Sequence, residues 1–197
     1  MYEQFNLSAK NPIISNHKVY GQELLPGLAY IDLIYQAYKK NHYSFDRLEL
    51  RNLSIFKPLA TVPGCSVRLG VHCNETSDGL WKIRLEGQNQ RDGILEPETT
   101  LYATAEMSLI EPVSYDETLD VSSVKRSAIR ELGIYDLYEE YQSQELVHTG
   151  FMKAEGQVYE LEAAVILDLS IGPDAQSSSQ EFLFHPALID GSGVGAG

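Results

Sequence analysis

Apolar positions along the chain follow two periods. In the stretch LAYIDLIYQAYKK (28–40), Leu28, Ile31, Leu33, Ile34, Ala37 and Tyr38 leave little of a helical circumference polar. A helix apolar nearly all round is a buried helix. Pro26 and Gly27 mark its entry, and Lys39 and Lys40 suit the negative end of its dipole. Segments of β character follow at 47–59, 65–73, 80–87 and 100–110, separated by turn material at Pro63-Gly64, Ser77-Asp78-Gly79 and Arg91-Asp92-Gly93. In the second of them Val67, Leu69 and Val71 alternate with Arg68, Gly70 and His72, so one face is apolar. The pattern predicts an antiparallel sheet with one buried side, and the apolar helix is what that side covers.

The acidic, proline-bearing segment EPVSYDETLDV (111–121) has no clean period and predicts a boundary, with one unit over 1–111 and a second over 112–197. The second unit is expected to open with a helical stretch over 123–144, broken at Gly133 and carrying Tyr135, Leu137, Tyr138 and Tyr141. Strand-like segments at 151–158 and 161–169, a loop GPDAQSSSQE, and the closing FLFHPALIDGSGVGAG come after it. The second unit reads as the beginning of another strand-and-helix arrangement that stops early. The fold class is α+β.

Composition narrows the classes of function. The formal charge of −13 and pI near 4.7 disfavour a nucleic-acid partner. With 43% apolar residues the chain can bury a real core. The longest uninterrupted aliphatic stretch, 163–167, is far below the roughly 20 residues of a membrane helix. MYEQFNLSAK lacks the regions of a secretory signal, so the expected location is cytoplasmic. Cys65 and Cys73, within one extended segment, would lie roughly 26 Å apart and cannot bridge. They read as two small core residues in a reducing compartment.

Histidine, the side chain best suited to moving protons near neutral pH, occurs five times. His42 reads as a helix-exit residue and His72 as the polar face of a strand. His17 stands in a loop that delivers the chain to the buried helix, and His185 precedes Pro186 five residues before Asp190. Asp190, followed by glycine, reads either as a cap or as an acid. No GxSxG, HExxH or P-loop pattern occurs, and GSGVGAG is a poor dinucleotide loop.

His17, Gly21 and Pro26 spell H-x-x-x-G-x-x-x-x-P, continued as ELLPGLAYIDL. Together with HPALID near the far end, they resemble the dehydratase domains of modular polyketide synthases. The resemblance implies a double hotdog, two antiparallel sheets each wrapped round a central helix, with the active site where the units meet. It implies a catalytic pair, His17 and Asp190, that removes water from a 3-hydroxyacyl thioester on an acyl carrier protein, with no metal or organic cofactor beyond the carrier's phosphopantetheine. The acyl carrier protein and neighbouring synthase domains are the implied partners; a homodimer stays open.

Such chemistry needs a base for the proton beside the thioester carbonyl, an acid for the leaving hydroxyl and donors for the carbonyl oxygen. His17 suits the base. Asp190 must begin protonated, and burial among apolar neighbours such as Phe182, Phe184, Leu188 and Ile189 is the expected means. The free N–H groups of Gly27 and Leu28 at the helix start are the expected carbonyl donors. Gly21, Pro26, His185 and Pro186 are expected to shape the backbone or pack. Two departures from the family stand out: VHTGFM replaces a Tyr-Gly-Pro type motif, leaving His148 either to take the vacated polar place at the substrate or to stand as a strand-edge residue, and Val194 stands where many members carry Gln or His. These departures, with the early end, leave open a non-catalytic docking domain, and the fold also admits a pyran-forming cyclase or a double-bond isomerase. Lys125, Arg126 and Arg130, expected on one early helix of the second unit, read either as a solvated helix face or as a carrier-docking patch.

Overall fold

The computed structural model describes residues 1–112 and 114–196. Val113, in the acidic segment expected to divide the units, and Gly197, the last residue of the glycine-rich tail, lie outside the described residues. The chain opens with β1 (Tyr2–Ser8), followed by the short α1 (Pro12–Ser15), β2 (His17–Val19) and β3 (Gln22–Glu23). Tyr20 (φ 49°) and Gly21 (φ 75°) make the two-residue turn between β2 and β3. Two successive positive φ angles match the right-handed twist of the flanking strands, which is why glycine suits this position.

Helix α2 (Ala29–Lys40) is followed by β4 (Leu48–Ile55), β5 (Cys65–Glu75), β6 (Trp81–Arg91) and β7 (Ile94–Leu109). With β1 they form a five-stranded antiparallel sheet in the order β1-β5-β6-β7-β4. The alternating Val67, Leu69 and Val71 of β5, Ile83 and Leu85 of β6, and Ala105 and Met107 of β7 are buried with Ile34, Ala37 and Tyr38 of α2. Each large side chain so buried contributes about 1.5–3 kcal/mol. Strand β1 went unpredicted because only Phe5 and Leu7 break its polar run. It takes its place by pairing along the edge of β5, with Leu7 opposite Val67.

The second unit comprises α3 (Val121–Arg126), β8 (Arg130–Gly133), α4 (Ile134–Ser143), β9 (Leu146–His148), β10 (Ala154–Glu160), β11 (Val165–Ile171) and α5 (Pro186–Ala196). The expected helical stretch over 123–144 is therefore two helices with a strand between them. β8 pairs with β10, placing Leu132 opposite Val158, and this long-range pairing overrides the local helical pattern. Strands β11, β10 and β8 form a three-stranded antiparallel sheet over a small core of Ile134, Tyr138, Val158 and Val194.

Helix α5 runs on through the glycine-rich tail to Ala196. Glycine disfavours a helix by about 1 kcal/mol per residue against alanine, yet a Cβ on Gly195 would lie 1.9 Å from Leu167 Cδ2. The small residues let α5 lie close on β11, and packing holds the helix. A third sheet, β3-β2-β9, joins the two units. No helix among the described residues is long and apolar enough to cross a membrane.

Candidate active site

The joint between the units brings the two ends of the sequence together. β2 and β9 pair antiparallel with His17 opposite His148, Lys18 opposite Val147 and Val19 opposite Leu146. The two imidazoles stand edge to face, with centroids 5.2 Å apart. Asp190, inside α5 and not at its end, points its carboxylate at both: Oδ2 lies 2.5 Å from His148 Nε2 and 4.0 Å from His17 Nε2. All three side chains are largely enclosed, with 6% of His17, none of His148 and 15% of Asp190 exposed.

The tautomer of His17 follows from its partner. Its Nδ1 lies 3.0 Å from the Leu24 carbonyl oxygen, which can only accept, so the ring proton sits on Nδ1 and the Nε2 lone pair faces Asp190. Burial pushes the imidazole below its ordinary value of 6.5. Asp190 and the Leu24 carbonyl oppose that shift without cancelling it, and His148 adds to it. His17 is thus a neutral imidazole at pH 7, the form a base needs.

Pro26 is buried and its carbonyl accepts from Ala29 N at 3.0 Å, which closes the first turn leading into α2. The N–H groups of Gly27 and Leu28 donate no hydrogen bond among the described residues. This helix start lies against α5, where a Cβ on Gly193 would come within 3.7 Å of Leu28 Cδ1. At the other end of the sequence, His185 accepts from Ala187 N through Nδ1 at 3.3 Å, and its carbonyl accepts from Leu188 N and Ile189 N. It caps α5, whose first residue is Pro186. Its ring packs on Phe182 and Phe151 at 4.9 and 5.2 Å.

The apolar environment expected around Asp190 is different in kind. Phe182 belongs to the His185 cluster, and Phe184 packs on Tyr35 and Phe45 at 4.9 and 5.3 Å. What faces Asp190 is two imidazoles, with Tyr138 stacked behind His148 at 5.0 Å. Val194 is buried in the small core of the second unit. The expected basic patch is largely neutralised: Lys125 pairs with Asp168, and Arg130, on β8 and not on the helix, pairs with Glu160 at 3.2 Å.

Asp32 was missed in the sequence. It is 2% exposed on α2, and its Oδ1 accepts from Leu183 N at 2.7 Å and Phe184 N at 2.8 Å while Gln36 donates to Oδ2 at 2.5 Å. It ties the segment that leads into α5 to the helix of the other unit. The available signal was a lone acid in an otherwise apolar helix, which has to find buried donors.

His17, His148 and Asp190 also offer one potential metal-ligand atom each, all within 4.8 Å of one another. Two ligands on a tetrahedral zinc with bonds of about 2.0–2.2 Å lie roughly 3.4 Å apart. His148 Nε2 and Asp190 Oδ2, at 2.5 Å, stand closer than that and make a direct hydrogen bond to each other.

Residues 2–87 match the polyketide synthase dehydratase domain family. The chain is 48% identical over 194 residues to polyketide synthase PksM of Bacillus subtilis (strain 168) and 47% identical over 194 residues to PksL of the same organism. Both alignments cover 98% of this chain and 4% of the synthase. A solved monomeric dehydratase domain from a trans AT polyketide synthase split module superposes with a TM-score of 0.93 at 46% identity, covering 99% of this chain and 71% of that one. The chain belongs to the polyketide synthase dehydratase domain family, and its two sheet-and-helix units are those of the double hotdog fold.

Proposed function

We propose that the chain removes water from a 3-hydroxyacyl thioester carried on the phosphopantetheine of an acyl carrier protein, giving the α,β-unsaturated thioester, within a larger polyketide synthase. The observation that carries this reading is the 4.0 Å separation of His17 Nε2 and Asp190 Oδ2, contributed by different units at an enclosed joint. His17, neutral with its Nε2 lone pair free, takes the proton beside the thioester carbonyl. Asp190 gives a proton to the departing hydroxyl. The N–H groups of Gly27 and Leu28 hold the carbonyl oxygen as charge builds on it. No metal or organic cofactor is needed for these steps, and the carrier protein and adjacent synthase domains are the partners.

The test is incubation of the folded chain with a 3-hydroxyacyl pantetheine thioester, followed by mass spectrometry. The expected result is loss of one water, reduced about 10²- to 10⁴-fold in His17→Ala and in Asp190→Asn. A folded parent chain that leaves the thioester intact refutes the reading.

A further inference from the structure

We propose that His148 and Asp190 work as one proton-holding pair, and that this pair, more than the aspartate alone, is the acid of the reaction. The inference rests on the dehydration reading and moves His148 from substrate contact to a positioning role behind Asp190. His148 Nε2 is 2.5 Å from Asp190 Oδ2, whereas His17 Nε2 is 4.0 Å away, so the carboxyl's nearer partner is the second histidine. The His148 side chain has no exposed surface with which to meet a substrate. It is held from behind by the Tyr138 ring and along its strand by the pairing of β9 with β2.

The ionisable groups that face this pair are His17 from β2 and Tyr138 from α4. Lys153 lies over the outer tyrosine rings, with Nζ 5.2 Å from the Tyr135 centroid and 5.7 Å from that of Tyr138. A carboxylate buried here therefore has imidazoles, and no lysine or arginine among these neighbours, to balance it. With one proton in the 2.5 Å contact and one on His148 Nδ1, the pair is neutral. It can then be written as imidazolium and carboxylate or as imidazole and carboxylic acid. Burial favours that neutral pair over the negatively charged one. In the second form Asp190 already carries the proton that the leaving hydroxyl needs.

The step balances. The electron pair of the broken C–H bond becomes the new double bond, and its proton goes to His17. The electron pair of the C–O bond leaves with oxygen, which takes the Asp190 proton and departs as water. The pair is then one proton short and His17 one proton rich. Transfer from His17 Nε2 to Asp190 Oδ2, 4.0 Å away, restores both.

The test uses His148→Gln, whose amide occupies the place of Nε2 and keeps a hydrogen bond while holding no extra proton, and Asp190→Asn. His148→Gln is expected to hold KM within about twofold while kcat falls about 10- to 100-fold. The alkaline limb of its kcat profile is expected to move to lower pH, with the acid limb, set by His17, unmoved. A parent-like pH profile would overturn the proton pair, and so would a raised KM with both limbs unchanged, which would place His148 on the substrate. Imidazole nitrogen NMR of the folded chain gives a readout independent of turnover: the His148 titration should change in Asp190→Asn. An unchanged His148 titration overturns the pair whether or not the chain is active. A changed titration in a chain that never dehydrates leaves the pair standing and refutes the dehydration reading instead.

Discussion

Asp32 offers a test that separates the shape of a side chain from its charge. Truncation in Asp32→Ala strands the N–H groups of Leu183 and Phe184, which donate to Oδ1 at 2.7 and 2.8 Å. Two hydrogen bonds to a charged acceptor are worth about 1.5–3 kcal/mol each, so the gross loss is about 3–6 kcal/mol. Burial raises the Asp32 carboxyl above its ordinary 3.8, opposed by those backbone donors, Gln36 and Lys39, so removing the charge returns part of that loss. The net expectation for Asp32→Ala is about 2–4 kcal/mol of destabilisation, roughly 5–15 °C in Tm for a chain of this size. Asp32→Asn keeps an oxygen for the two N–H groups and removes the charge, so at pH 7 it should lie within about 1 kcal/mol of the parent or above it. The pH dependence has a definite sign. A carboxyl with a raised folded value binds protons in the native state first, so its contribution is full below 3.8 and is lost as pH rises through the folded value. Asp32→Asn should flatten the parent's fall in stability over that window. Urea unfolding at several pH values between 4 and 7 measures all of this; Asp32→Ala within about 0.5 kcal/mol of the parent, or Asp32→Asn as damaging as alanine, refutes the reasoning.

Other consequences are more local. His17 and His185 are both held below 6.5 by burial, so the unfolded chain protonates first as pH falls. Stability present above 6.5 should therefore decline below it, and less steeply in His185→Asn when both are followed by denaturant titration. The acid limb of the dehydration rate should likewise fall below pH 6.5, since His17 must be neutral to accept a proton; a limb above 6.5 would contradict the observed burial. Gly195→Val in α5 would drive its side chain into Leu167 and should cost about 1–3 kcal/mol by thermal unfolding. Gly21→Ala, at φ 75°, should cost about 1 kcal/mol in the same assay.

What the sequence disclosed follows from how local each signal was. The buried helix and the four long strands of the first sheet are legible from local pattern and turn residues; α2 begins one residue after the expected Leu28, while β7 begins at Ile94, well before the expected 100. Strand β1 and the strand inside 123–144 did not, because each is defined by its partner: β1 by the edge of β5, β8 by β10. The meeting of His17 with Asp190 was inferred from two motifs at opposite ends of the chain, while the position of His148 opposite His17 depends on a register that no local pattern encodes. The expectation of an apolar shell around Asp190 came from its neighbours in sequence. Of those neighbours Phe182 and Phe184 pack into other clusters, and a polar partner from another strand takes the place beside the carboxyl.

The joint that brings His17, His148 and Asp190 together is small, which explains why so much distant structure has to converge on it. Three residue pairs between β2 and β9 set the two histidines side by side, extended by the bonds of Thr149 N and Oγ1 to Asn16 at 3.0 and 2.9 Å. A pairing that short cannot by itself place a third group from another element with the accuracy that proton transfer requires. The position of Asp190 is supplied by α5, whose glycines seat it on β11 and beside Leu28, and whose entry is fastened to α2 through Asp32. His17 and Asp190 therefore belong to different units, but the segment leading to Asp190 is anchored on the helix at the centre of the unit that carries His17. Loosening that anchor should separate His17 from Asp190 before either core melts, so kcat in Asp32→Ala should fall at temperatures where its far-ultraviolet circular dichroism is still that of the parent.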